Sequence, residues 1–286
     1  MKFYFVQEHC ATWPVRVMCA VLGISVSGYY AWRNRAESKR TAANRQLLGE
    51  IRRIHADSSG VYGSPRIHAV LRRTGQPVGR SRVEILMRCA GLRGLAALPR
   101  RARTTHSRHS LPVAPNMLAR NFTAQRPNQI WLADLTYIPT GEGWLYLAAV
   151  LDVCTRKIVG WSMRDTLHTE IALDALAMAL QRQRPGAGLI HHSDRGIQYA
   201  AEVYRQTLAA ANITPSMSRK GNCWDNAPME SFFHTLKTER VHHRIYATKE
   251  QAKRDLFAYI EGFYNSHRLH STLGYLSPAE RERAAA

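Results

Sequence analysis

Acidic residues are scarce in this chain. Only 21 of its 286 residues are Asp or Glu, against 40 Lys and Arg, for a formal net charge of +19 and a pI near 10.3. Small acidic metabolites do not call for such an excess. A polyanion does, because each neutralised phosphate releases counterions. Cysteine is also sparse. Cys10, Cys19, Cys89, Cys154 and Cys223 are scattered, odd in number and never spaced Cys-x-x-Cys. That pattern argues against a disulfide scaffold and a zinc finger, and fits a reduced, cytoplasmic compartment. No apolar run reaches the ~18 residues of a membrane span. The start, Met1-Lys2-Phe3-Tyr4-Phe5-Val6-Gln7-Glu8, lacks a signal-peptide core with a small-residue cleavage site. With 45% hydrophobic residues the chain has material for a packed core, and its length suggests about two domains.

The charge is lopsided. Residues 1–125 hold 21 Lys and Arg against 5 acids, a net +16, whereas 126–286 hold 19 against 16, a net +3. The first half is expected to grip nucleic acid and the second to need its carboxylates. Residues 1–98 read as a basic helical region. Val15 to Leu22, a break at Gly23, and Ile24 to Trp32 form one helix-turn-helix candidate. Ala42 to His55 carries Leu47, Leu48, Ile51 and Ile54 at helical spacing. Pro65 to Arg73, the turn Gly75-Gln76-Pro77, and Ser81 to Cys89 form a second candidate. Ser81 is the expected cap, and Arg66, Arg80 and Arg82 are expected DNA contacts. A plain helical bundle with basic solvent faces is the alternative for each element. Residues 99–125, with Pro99, Pro112 and Pro115 and the run Arg100-Arg101-Ala102-Arg103, read as a basic linker. Arg101 and Arg103 are expected on a DNA backbone.

From Gln129 the period changes. Ile130 to Ile138, Trp144 to Val153 and Lys157 to Met163 read as three antiparallel strands. His168 to Gln183 reads as a helix, Leu189 to Ser193 as a short buried strand, Ala200 to Ala211 as a helix and Ile213 to Met217 as a strand. The sum is a mixed α/β layer fold over 126–241, with a C-terminal helical extension over 242–286. Two acids interrupt apolar strands. Asp134 lies inside the first, and Asp194 ends the short one. Buried acids are rare unless paired or on a metal, and strand ends are where open α/β folds place ligand groups. A third acid, Glu230, follows a cap region, Asp225-Asn226-Ala227-Pro228. On that helix Met229, Phe232, Phe233 and Leu236 face the core, while Glu230, His234 and Lys237 share a polar face.

These residues resemble the DDE triad of insertion-sequence transposases and retroviral integrases. Asp194 and Glu230 are separated by 35 residues, and Lys237 stands seven after Glu230. The strings Trp131-Leu132-Ala133-Asp134-Leu135-Thr136-Tyr137, His192-Ser193-Asp194-Arg195-Gly196-Ile197-Gln198-Tyr199 and Trp224-Asp225-Asn226-Ala227-Pro228-Met229-Glu230 resemble the OrfB class. That class is the catalytic product of bacterial insertion sequences with two overlapping frames. Tyr62-Gly63-Ser64-Pro65-Arg66-Ile67, Tyr264-Asn265 with Arg268 and His270, and Leu273-Gly274-Tyr275-Leu276-Ser277-Pro278 extend the resemblance over nearly the whole chain.

The resemblance implies a ribonuclease-H-like catalytic domain preceded by the helical DNA-binding region. It implies Mg²⁺ as a pair of ions, with Mn²⁺ able to substitute, and Asp134, Asp194 and Glu230 as both catalytic and metal-ligating residues. It implies 3′-end cleavage, a circular intermediate and strand transfer. Lys237 is expected on a phosphate near the scissile bond, a solvated helix lysine being the alternative. The implied partners are DNA ends and target, an upstream OrfA product or a frameshift fusion with it, and further copies of the chain on paired ends. The expected location is the bacterial nucleoid. A nuclease that cuts without joining, and a regulator that binds ends without metal, are the competing functions. Asp152 is expected in a turn before Thr155-Arg156, and His191 and His192 on opposite strand faces in packing roles. His242-His243 and His267-x-x-His270 are not expected to hold structural zinc. Trp224 is either a base-stacking platform or a core or loop anchor.

Overall fold

The computed structural model of the chain describes residues 1–96, 111–220 and 222–285. Three short helices come first: α1 (Lys2–His9), α2 (Val15–Leu22) and α3 (Val26–Arg33). They close on a small core of Val6, Met18, Cys19 and Tyr29. α4 (Lys39–Asp57), α5 (Ser64–Arg73) and α6 (Arg80–Cys89) bury Leu47, Ile51, Ile54, Ile67, Leu71, Val83 and Met87 in a separate core. Ser81 is not the cap of α6. The extended residue is Gly79, whose carbonyl accepts the first helical N–H groups from Arg82 and Val83, so Ser81 lies inside the first turn.

The second half is built on five strands: β1 (Ile130–Thr140), β2 (Gly143–Asp152), β3 (Ile158–Arg164), β4 (Ile190–Ser193) and β5 (Thr214–Met217). Their order is β3-β2-β1-β4-β5. β1, β2 and β3 form an antiparallel meander, and β4 and β5 add in parallel beside β1. β1 runs past the expected stop, since Pro139 still faces Trp144 across the hairpin.

Helices cover both faces. α7 (Thr169–Gln183), α8 (Ile197–Ala200) and α9 (Glu202–Ala210) pack with Trp131, Ala133, Ala148 and Val150 on one side. α10 (Ala227–Glu239) and α11 (Lys249–Phe257) pack with Leu132, Ile138, Leu145, Leu147 and Leu151 on the other. Strand residues alternate cleanly between the two cores, as the period of two requires. The mixed α/β layer expected from the strand pattern is therefore present.

The described part of the proline-containing segment, 111–125, behaves as a strap over the sheet domain rather than a free tether. Leu111 and Ala114 pack on one core, and Leu118, Phe122 and Ala124 on the other. The C-terminal extension is likewise part of the structure. α11 runs into a π-helical stretch, Ala258–Asn265, that puts Tyr259, Ile260 and Tyr264 into the α10 core. The Asn265 amide there accepts from Ile158 N and donates to Ile158 O, both at 2.9 Å, pairing the start of β3. The last helix is α12 (Pro278–Ala285).

Candidate active site

Strand register brings the first two acids together. β1 and β4 pair in parallel from Ile130 opposite Ile190 to Ala133 opposite Ser193. The next residues on the two strands are Asp134 and Asp194, placed side by side where that ladder ends. Each carboxylate is steadied by local backbone. Leu135 N donates to Asp134 Oδ1 at 2.7 Å, and Gly196 N donates to Asp194 Oδ1 at 2.8 Å. A larger residue at position 196 would press on the Asp194 carboxylate. A Cβ there would stand 2.9 Å from Asp194 Oδ1 and 3.1 Å from Gln198 Oε1.

Alternation puts Asp134 on the same sheet face as Leu132, the face that α10 covers. α10 buries Met229, Phe232, Phe233 and Leu236 there and carries Glu230 in its first turn. Electrostatics report the same neighbourhood. Burial, and then the charge of Asp194, push the Asp134 carboxyl well above the usual carboxylate range. The Leu135 N–H opposes this, Glu230 adds to it and Lys237 counters it. Burial also pushes Glu230 up, although its side chain is exposed. Lys237 is not a freely solvated lysine: its Nζ lies 4.8 Å from the centre of the Tyr137 ring, which packs edge-on against Trp144. Burial lowers its pKa, and Asp134 works against that shift.

Among the described residues, no three His, Cys, Asp or Glu side chains close around one point as a ready ion cage. Asp134 and Asp194 form the tight pair, and Glu230 acts on Asp134 more weakly. Two buried oxygens beside that pair lack partners, Asn226 Oδ1 and the Tyr199 hydroxyl. Asn226 is placed by its own amide, which donates to Ala133 O at 3.2 Å. The Tyr199 hydroxyl is pushed up by burial and the Tyr204 ring, and further by Asp134 and Asp194. Crowded carboxylates and unpartnered oxygens make a site deficient in positive charge. Its donors are all oxygen, the set a hard divalent cation prefers.

A residue read only as part of a cap anchors this corner. Asp225 is wholly buried and takes five hydrogen bonds. Arg219 donates from its backbone N (2.9 Å), Nε (2.9 Å) and Nη2 (2.8 Å). Arg120 Nε (3.1 Å) and Asn116 Nδ2 (3.0 Å), both on the strap, complete the set. Arg219 chiefly holds the carboxyl below its ordinary range, with Arg120 assisting. Asn226 stands at the N-cap position of α10, but its side chain caps nothing and instead reaches β1. The sequence signal for this corner was the pair Asp225-Asn226 itself, since local turn chemistry absorbs such residues unless their partners are known.

The other candidates separate. Asp152 is a turn residue as expected, accepting from Asn128 N at 2.7 Å and from Thr155 N and Oγ1. His191 and His192 are both buried. The first meets the Tyr204 hydroxyl at 3.1 Å; the second lies between the Ser216 and Ser218 hydroxyls. Trp224 is 66% exposed, which excludes a buried anchor. Arg66 is only partly exposed and is engaged within the chain. Its Nε donates to Leu269 O at 2.9 Å and its guanidinium lies near Glu239, because α5 docks on the C-terminal segment. Arg80 and Arg82 are exposed at the start of α6, Arg82 donating to Asn44 Oδ1 at 2.8 Å. Arg101 and Arg103 lie outside the described residues.

Two models of the integrase core domain match residues 124–223 and 211–278, and a model of an HTH-like domain matches 42–102. An insertion element IS600 uncharacterized 31 kDa protein of Shigella sonnei is 47% identical over 267 residues, covering 92% of this chain and 96% of that one. Transposase InsF for insertion sequence IS3fB of Escherichia coli K12 is 39% identical over 284 residues, covering 99% and 98%. The chain belongs to the insertion-sequence transposases of the IS3 type. A simian T-cell lymphotropic virus intasome chain aligns over 81% of this chain and 74% of its own, at 13% identity and a TM-score of 0.47. By its family models, the transposase has an integrase core domain behind a helical, HTH-like DNA-binding region. Asp134 and Asp194 fall in the span of the first core model, and Glu230 and Lys237 in that of the second. Among the described residues no single helix is long and apolar enough to cross a membrane.

Proposed function

We propose that this transposase cuts and joins DNA at a site formed by Asp134, Asp194 and Glu230. The observation that carries the reading is the parallel register of β1 and β4, which sets Asp134 beside Asp194 under the helix that bears Glu230. The three carboxylates would hold two Mg²⁺ ions, with Mn²⁺ able to substitute. When bound, that pair supplies stabilisation of the entering and leaving oxygens of an in-line displacement. Glu230 lies at the rim and completes the site by swinging toward the Asp134–Asp194 pair. In cleavage, water attacks the phosphorus and the 3′ oxygen leaves, freeing a 3′-OH. In joining, that 3′-OH attacks a target phosphodiester and the target's 3′ oxygen leaves. Neither step needs a covalent enzyme intermediate. Lys237, steadied on Tyr137, contacts a phosphate beside the scissile bond. Arg80 and Arg82 contact the DNA from α6, and Trp224 offers an exposed ring for stacking on an unpaired base. The working form pairs two element ends between copies of the chain in the nucleoid, with an OrfA product or a fusion to it as partner.

The test is a cleavage and end-joining assay on duplexes carrying the element's ends, with Mg²⁺. Glu230→Gln is expected to lose both reactions by at least about a thousandfold while retaining DNA affinity. Full activity in that variant overturns the assignment. A wild-type chain that cuts but never joins a 3′-OH end makes the protein a nuclease on the same fold.

A further inference from the structure

The matched HTH-like span begins at residue 42, yet the sharper helix-turn-helix lies before it. α2 and α3 are joined by three residues, Gly23-Ile24-Ser25, and the chain turns through 112° between them. Both values are those of a DNA-reading helix pair. The connection between α5 and α6 is twice as long, running from Thr74 to Gly79. The turn is built by local chemistry. Gly23 adopts the left-handed conformation (φ 64°), and Ser25 Oγ caps α3 by accepting from Gly28 N at 2.9 Å. α1 supports the pair as a third helix. Lys2 Nζ donates to Leu22 O at 2.7 Å, and Phe3 stacks against Trp32. Tyr29 is fully buried, so α3 is fixed in rotation by its own small core.

That rotation decides what α3 offers. With Tyr29 inward, Ser27, Tyr30, Ala31 and Asn34 form one exposed face at i, i+3, i+4 and i+7. The face combines a hydroxyl, a phenol, a methyl and an amide, the groups that read base edges in a major groove. Arg33 and Arg35 flank it, and no acid stands between Glu8 and Glu37. We infer that α2–α3 is a second DNA-reading head, with Ser27, Tyr30 and Ala31 of α3 and Asn34 at its C-cap entering the major groove of duplex DNA. The chain then recognises its DNA at two blocks, one through α6 and one through α3.

The experiment is selection of bound sequences from a randomised pool of duplexes by the full chain in EDTA, so that catalysis plays no part. Wild type is expected to select two separated blocks. Ser27→Glu with Ala31→Glu should keep one block and lose the other, with affinity down at least tenfold. Asn34→Asp, a milder change on the same face, should weaken the same block, and thermal melting checks that both variants fold. The inference fails if wild type selects a single block. It fails equally if the variants select both blocks unchanged. A change in sedimentation mass with unaltered DNA selection would assign the face to a second copy of the chain and overturn the proposal. Failure of the Asp134–Asp194–Glu230 reading leaves these outcomes unaffected.

Discussion

Lys237 takes its position from an aromatic ring. Because Nζ rests over Tyr137, removal of the ring frees the ammonium without removing it. Tyr137→Ala is expected to slow joining about tenfold with DNA affinity nearly unchanged, whereas Tyr137→Phe stays near wild type. Single-turnover assays separate the two. Asp134 gives a prediction of the opposite sign for stability. Its folded-state pKa is raised, so the metal-free fold loses stability as pH rises from the ordinary carboxylate value to the raised one. Asp134→Asn should abolish activity yet raise the melting temperature by a few degrees at pH 7 without metal. The gain should vanish below about pH 3, where the unfolded carboxyl is itself protonated. The buried histidines behave in the other direction. His191 and His270 are each pushed down to about 3, chiefly by burial, and so stay neutral in the fold. Unfolded, they titrate near 6.5, and stability drains away as pH falls from there toward 3. Melting curves across that window should drop, and His270→Gln should flatten the drop.

At the scale of elements, α10 depends on two neighbours that periodicity cannot announce. Its apolar stripe was plain from Met229, Phe232, Phe233 and Leu236, and so were the strands whose alternation it covers. Asp134 and Asp194 stood out because acids interrupt apolar strands. Their adjacency follows from parallel pairing, which no local pattern encodes. Asp225 and Asn226 read as a helix cap because their partners, Arg219, Arg120, Asn116 and Ala133, lie from 6 to 109 residues away. The docking of Arg66 was hidden for the same reason: a basic helix face looks the same whether it meets phosphate or a carbonyl such as that of Leu269. The Asp225 hub predicts a graded response. Asp225→Asn leaves Arg219 and Arg120 without their charge partner and should cut cleavage about a hundredfold. Arg120→Ala, removing one donor from the strap, should cut it about tenfold, read in the same assay with a melting curve beside it.

Over the whole molecule, the basic helical region and the sheet domain are joined by contacts as well as by chain. The Tyr62 hydroxyl donates to His267 O at 3.1 Å and accepts from Leu269 N at 2.9 Å. Arg73 adds an ion pair with Glu280 and a bond to Tyr275 O. Tyr62→Phe deletes both phenolic bonds and leaves the ring. It should cost about 1–3 kcal/mol at this interface and speed limited proteolysis of the segment around residue 267.

Glu239, the last residue of α10, forms a buried ion pair with Arg268, whose Nη2 lies 2.6 Å from its carboxylate. The helix that bears Glu230 is thus completed by a residue that follows Glu239 by 29 positions, in the C-terminal extension. A copy whose reading frame closed before codon 268 would strip the buried Glu239 carboxylate of its main ion-pair partner, leaving it the Tyr259 hydroxyl and the more distant Arg66, and its product would be cleared by proteases instead of acting as a feeble enzyme. In a genome that accumulates decayed insertion sequences, late nonsense mutations would therefore silence an element outright.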